Sequence, residues 1–204
     1  VKKKQFDTIY HEHYSYLSLH STNKILKKFD LEIFNVEKIS THGGSLRIYI
    51  KNKMSKKNKI DKSFKSIFDQ EKKSNIFKKE TMQKFSSTLE KTKKDFINLL
   101  INLKIQKKKV AAYGAAAKGN TFLNYCNIGS SLIDFVVDKN TSKIGKLLPG
   151  SHLKIFSVNK LKEFKPDYLV ILPWNIKGEI IRQIKDSELK TKFITAIPKI
   201  IIVN

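Results

Sequence analysis

Val110-Ala-Ala-Tyr-Gly-Ala-Ala-Ala-Lys-Gly-Asn-Thr-Phe-Leu-Asn124 decides the fold. A basic run, Lys107 to Lys109, ends where it begins. Val110 to Tyr113 is short and apolar and reads as a buried strand. Gly114 and Gly119 bracket a turn of small residues, and Asn120 to Tyr125 reads as the first turns of a helix. Strand, glycine turn and helix leave backbone N–H groups at a helix start, which favours an anion, typically a phosphate. Lys118 is expected in the loop, with a mobile charge to add. The spacing is neither G-x-G-x-x-G nor a P-loop, so a helix start facing water stays open beside the anion site.

Outward from that stretch, the pattern repeats. Leu132 to Val137 reads as a second buried strand closed by Asp138, where dinucleotide folds hold a ribose. Asp138 to Asn140 and Lys143 to His152 form a polar loop. Ser157 to Phe164 reads as a helix capped by Ser157. Asp167 to Leu172 is a third strand, followed by Pro173-Trp-Asn175. Ile176 to Ile184 is a helix, and Phe193 to Val203 is a closing pair of strands broken at Pro198. Strands alternating with helices give an open, parallel α/β sheet, whose ligands sit beyond the carboxyl ends of the strands. Gly114 to Lys118, Asp138 and Pro173 to Asn175 all lie at those ends.

Upstream, Lys51 to Lys62 is a lysine-rich linker. Residues 63–106 carry an apolar stripe through Phe64, Ile67, Phe68, Phe85, Leu89, Phe96, Leu99, Leu100 and Leu103, and read as one or two amphipathic helices, the second from about Thr81. Leu31 to Ile39 and Leu46 to Ile50 read as antiparallel strands joined at His42-Gly43-Gly44. That glycine pair is similar to the oxyanion loop of esterases, but there is no G-x-S-x-G elbow to go with it. Leu19 to Phe29 reads as a helix capped by Ser21 or Thr22. Gln5 to Ile9 alternates loosely and precedes Tyr10-His-Glu-His-Tyr-Ser-Tyr16. On a strand, His11 and His13 would share one face and Tyr10 and Glu12 the other. A histidine near a carboxylate can move protons near neutral pH, and the same pattern also suits a polar strand end with satisfied histidines.

The 204 residues suffice for one large domain or two small ones, and no apolar run is long enough to span a membrane. The net charge of +23 points toward nucleic acid or an anionic surface. Only Arg47 and Arg182 are arginines, however, and arginine is the usual reader of base edges. More than half of the excess lies in residues 51–109, so a solvated lysine face is the better reading and nucleic acid is not the expected partner. Cys126 is alone, which rules out an internal disulfide and a cysteine zinc cluster and makes a cytoplasmic setting the expectation. No metal site is expected. The first methionine is Met54, so the chain is expected to be a piece of a longer protein.

Six stretches together resemble one family, the S-adenosylmethionine-dependent C-methyltransferases of nucleotide-linked keto-deoxysugars. They are Phe6 to Tyr16, Thr41-His-Gly-Gly-Ser-Leu-Arg47, Tyr113-Gly-Ala-Ala-Ala-Lys-Gly-Asn120, Val137-Asp-Lys-Asn140, Gly145 with Leu148-Pro-Gly-Ser-His152, and Leu172-Pro-Trp-Asn175. The resemblance implies three segments. Residues 1–52 are the β-rich tail of a methyltransferase domain, 53–109 a basic linker and helices, and 110–204 a Rossmann-like domain with an open, mostly parallel sheet. It also implies that upstream zinc-binding and donor-binding domains are missing, so that S-adenosylmethionine serves the parent enzyme and is not expected to bind this chain tightly. His13 is the implied base, with Tyr10, His11 and Glu12 orienting it or holding the enolate oxygen. Gly114, Lys118, Gly119, Asn120, Asp138 and Asn175 are the candidate contacts for a nucleotide-diphosphate sugar. The alternative is an α/β module that binds a dinucleotide or a CoA-like ligand without chemistry of its own.

Overall fold

A computed structural model describes residues 5–41 and 44–204. The chain divides into two compact units, one formed by the N-terminal residues through His13 with Lys84–Asn204, the other by Tyr14–Gln83. These cut the chain elsewhere than the expected segments 1–52, 53–109 and 110–204. The turn carrying His13 belongs with the large sheet, and so does most of the long helix before it.

In the smaller unit, α1 (Leu19–Leu26) starts at a capping box in which Ser18 and Ser21 exchange side-chain and backbone bonds. Ser18, one turn earlier than expected, is therefore the cap. The Glu71 carboxylate, on α2 (Lys62–Lys73), accepts from the backbone N–H groups of Leu19 and His20 at 2.8 and 2.6 Å. A negative charge at a helix start answers both the orphan donors and the dipole. β1 (Leu31–Ile39) and β2 (Ser45–Asn52) pair antiparallel, as their alternation predicts. Leu19, Ile33 and Val36 form a small buried core with Ile48, Phe64, Ile67 and Phe68 against it. His42 and Gly43, at the expected turn, lie outside the described residues.

In the larger unit, six strands order as β5-β4-β3-β6-β7-β8. They are β3 (Val110–Tyr113), β4 (Val136–Asp138), β5 (Ile155–Ser157), β6 (Tyr168–Ile171), β7 (Lys192–Thr195) and β8 (Ile201–Val203). All neighbours are parallel except β7 and β8. β3 lies between β4 and β6, so the chain winds first to one side and then to the other. The topological switch point is at the carboxyl end of β3.

Alternate β3 residues face opposite layers. Val110 and Ala112 join the core with Phe96, Leu100 and Leu103 of α3 (Lys79–Ile105) and Phe122 and Leu123 of α4 (Ala117–Cys126). Ala111 and Tyr113 join the opposite core with Leu161 of α5 (Lys160–Phe164) and Ile180 and Ile184 of α6 (Lys177–Lys185). Two aspartates hold the sheet's entry edge. Asp134 accepts from the Val110 N–H at 3.0 Å and Asp167 from the Lys109 N–H at 2.8 Å. The Lys109 bond holds the Asp167 carboxyl below its ordinary value.

Some expectations are corrected. The second strand begins at Val136, because Asp134 is committed to anchoring β3 and Lys104. Ser157 ends β5 and does not cap α5, whose cap position is Asn159. Gln5 to Ile9 holds a 3-10 turn, Phe6–Thr8. Among the described residues no helix is long and apolar enough to cross a membrane.

Candidate functional site

The glycine turn at the switch point is packed, and its packing explains the glycines. Gly114 has φ +97°, and a Cβ there would stand 2.5 Å from Cγ of Pro173. A Cβ on Gly119 would stand 2.6 Å from Cβ of Leu172, so α4 lies directly against the end of β6. Asp138 closes β4 as expected, but its carboxylate accepts from the N–H of Ala115 at 2.7 Å and of Asn140 at 2.8 Å. Lys143 donates to the Ala115 carbonyl at 2.8 Å and stands 3.8 Å from the same carboxylate.

A nucleotide in such a sheet places phosphate over the first glycine and ribose on the acid after the second strand. Here Pro173 packs against the first glycine, and each Asp138 oxygen already accepts one backbone N–H.

Lys118 departs from expectation most. It lies in the first turn of α4, only 8% exposed, with its ammonium 5.3 Å above the Trp174 ring. It packs, where a strand-end loop lysine was expected to move freely. Its charge acts on Asp7, which is 1% exposed. The Trp174 indole N–H donates to Asp7 Oδ2 at 2.7 Å across 167 residues of sequence. Asp7 Oδ1 and Asn120 Oδ1 are buried without a hydrogen-bond partner among the described residues. Burial raises the Asp7 carboxyl above its ordinary value, opposed by the Trp174 bond and the Lys118 charge. Asn175, beside Trp174, is exposed.

The segment bearing Asp7 lies along α4. Phe6 packs edge-on against Tyr125 at 4.6 Å and near Phe122 at 6.1 Å. The Thr121 hydroxyl donates to the Ile9 carbonyl at 3.2 Å. Tyr10 to His13 then forms a turn closed by the His13 N–H on the Tyr10 carbonyl at 2.9 Å. The segment is this turn and not a strand, so His11 and His13 do not share a strand face. Tyr10 and His13 are half-buried, with ring centroids 4.2 Å apart. His11 and Glu12 point outward, 86% and 71% exposed and 3.9 Å from each other.

His13 Nδ1 lies 2.8 Å from the Thr8 carbonyl oxygen. A carbonyl only accepts, so Nδ1 carries the proton and Nε2 is the basic nitrogen of the neutral ring. Asp7, Thr8 and Trp174 lay inside the resembling stretches, but no sequence spacing pairs residues so far apart. Among the described residues, no His, Cys, Asp and Glu side chains gather into a group that could hold a metal ion.

The larger unit is therefore an open α/β domain of Rossmann strand order that carries a histidine turn beside its first sheet-following helix. A family model described as the C-methyltransferase C-terminal domain matches residues 40–198, and the chain belongs to that family. It is 32% identical over 200 residues to the C-methyltransferase NovU of Streptomyces niveus, a match covering 98% of this chain and 47% of that protein. The chain thus spans about half the length of the curated relative it matches. The family match begins after the histidine turn, whereas the match to NovU leaves room for only a few unaligned residues and takes that turn in.

Proposed function

We propose that this chain is the C-terminal part of a sugar C-methyltransferase, receives a nucleotide-linked keto-sugar and supplies the base that starts its methylation. The observation that carries this reading is the match over nearly the whole chain to a C-methyltransferase, with the His13 turn inside it. The parent enzyme uses S-adenosylmethionine, held by parts of the protein other than the switch point described above.

In the first step, His13 Nε2 takes a proton from the carbon beside the sugar ketone. The C–H bond breaks, an N–H bond forms and the electron pair passes to the ketone oxygen as an enolate. A histidine suits this role because its ordinary pKa lies near working pH. The Thr8 carbonyl holds the tautomer that presents Nε2. Tyr10, against the His13 ring, restricts how that ring turns and stands where a phenol could meet the enolate oxygen. His11 and Glu12, both outward-facing, serve the sugar only from the open side of the turn.

The diphosphate belongs at the start of α4. Ala116, at the cap position, offers no side-chain cap, so the first N–H groups remain to meet an anion. Lys118 supplies charge from beneath, and Asn120 and Asn175 stand nearby in sequence and turn. Gly114, Gly119 and Asp138 contribute by shaping the turn. A calorimetric titration with thymidine diphosphate tests this assignment. Lys118→Met keeps the apolar stem over Trp174 and removes the charge, and should weaken binding by about 1–3 kcal/mol. Equal affinities of a folded variant and the wild type would sink the assignment.

A further inference from the structure

Nothing in the proton transfer itself uses Asp7, yet it is among the most buried polar residues of the unit. Its position is costly, since burial opposes its charge and one oxygen has no partner among the described residues. A polar group kept at such cost fixes a geometry. Trp174 and Lys118 belong to the sheet domain, at the end of β6 and in α4. Asp7 belongs to the short segment that ends in the histidine turn. Between Asp7 and His13 the segment is also tied to α4 where the Thr121 hydroxyl donates to the Ile9 carbonyl. Thr8, whose carbonyl sets the His13 tautomer, directly follows Asp7 in the same 3-10 turn.

We propose that Asp7 is a positioning residue: the indole N–H of Trp174 clamps its carboxylate, and the clamp places the Thr8 carbonyl that holds His13 with its proton on Nδ1. The importance of that tautomer rests on the reading of His13 as the base, but the clamp itself is tested without activity.

The test uses long-range 1H–15N correlation spectra of the histidines in the 204-residue chain. The His13 signals are assigned by their disappearance in His13→Gln. In the wild type, His13 shows the Nδ1–H pattern at a pH where the ring is neutral. Asp7→Asn retains an acceptor for the indole and keeps the pattern. Asp7→Ala loses it, and His13 moves to a mixture dominated by Nε2–H, the form that a histidine released to solvent favours. If Asp7→Ala does not fold, Trp174→Phe removes the donor while keeping an aromatic ring, and the same loss is expected.

A folded Asp7→Ala or Trp174→Phe chain with an unchanged Nδ1–H pattern overturns the clamp. Loss in Asp7→Asn as well as Asp7→Ala also overturns it, because the effect would then come from charge opposite Lys118. Failure of the base assignment looks different: the tautomer pattern responds as stated, while turnover of the parent enzyme is indifferent to His13.

Discussion

Two turns of the larger unit hold most of the candidate site residues, and they are built in opposite ways. The turn from Gly114 to Gly119 is closed by the sheet's own packing, with Pro173 and Leu172 against its glycines and Asp138 bonded to its backbone. The turn from Tyr10 to His13 comes from a distant part of the chain. Its attachments include the buried Asp7 carboxylate, the Phe6 aromatic contacts and the Thr121 hydroxyl. The first is closely packed scaffold in which the Gly114 and Ala115 N–H groups are already bonded, to the Val137 carbonyl and the Asp138 carboxylate. The second carries a histidine whose Nδ1 is held by the Thr8 carbonyl. A glycine-rich turn in an α/β sheet is therefore not by itself a nucleotide site; what matters is whether the glycines leave space or consume it.

The comparison is sharpest if each turn is broken separately. His13→Ala should lower turnover of the enzyme containing this chain by roughly 10²–10⁴, the usual contribution of a positioned base. Nucleotide-sugar binding and the unfolding midpoint should barely move, and unchanged turnover would pass the role to His11.

Gly114→Ala should act on stability instead. Strain at positive φ costs about 1–3 kcal/mol and overpacking against Pro173 about 1–3 kcal/mol more. Gly145, at φ +84° with no atom of the described residues within 4 Å of where a Cβ would stand, is the control. Gly145→Ala should show the strain alone in urea unfolding. Equal losses at both positions would mean that Pro173 gives way.

Asp7 couples the two turns, and its ionisation has a definite sign. Its carboxyl lies above the ordinary value of 3.8 when folded, so the folded state holds the proton more tightly than the unfolded one. The ionised group therefore opposes folding above the folded pKa, and the penalty fades as pH falls toward the unfolded value. Asp7→Asn keeps an acceptor without the charge. It should be more stable than the wild type at neutral pH, with the difference vanishing below pH 3.8. Parallel stability curves of the two proteins from pH 7 to 3 would break this account.

The smallest effect is expected at Cys126, on the buried side of α4. Burial pushes its thiol up to about 12, and it is 1% exposed. Native chain at pH 8 should react with a thiol reagent only as fast as α4 opens, and denaturant should release full reactivity. Rapid native labelling would show that α4 is less firmly packed than its contacts imply.

Much of this was legible in the residues. Val110 to Tyr113 as a buried strand, the β1–β2 hairpin and the closing pair of strands broken at Pro198 followed from apolar runs and turn residues alone; that the closing pair is antiparallel is seen in the structure. β5 escaped because three residues, Ile155 to Ser157, are too few to show a period. The histidine cluster is visible as chemistry, but its residues do not tell a strand from a turn. The Tyr10 carbonyl closes a turn there, and a local backbone bond leaves no mark on side-chain pattern.

The sequence by itself determined the class of fold and the family, and it made the histidine cluster of Tyr10 to Tyr16 visible. Hydrophobic period and residue chemistry are local properties, written wherever the chain is read. Only the tertiary structure decided that Gly114 and Gly119 are filled by Pro173 and Leu172, that Lys118 is buried over Trp174, and that Asp7 meets an indole 167 residues away. Those facts depend on which atoms the winding of the sheet brings together, and close packing assigns the space around a residue to neighbours that its own stretch of sequence does not name.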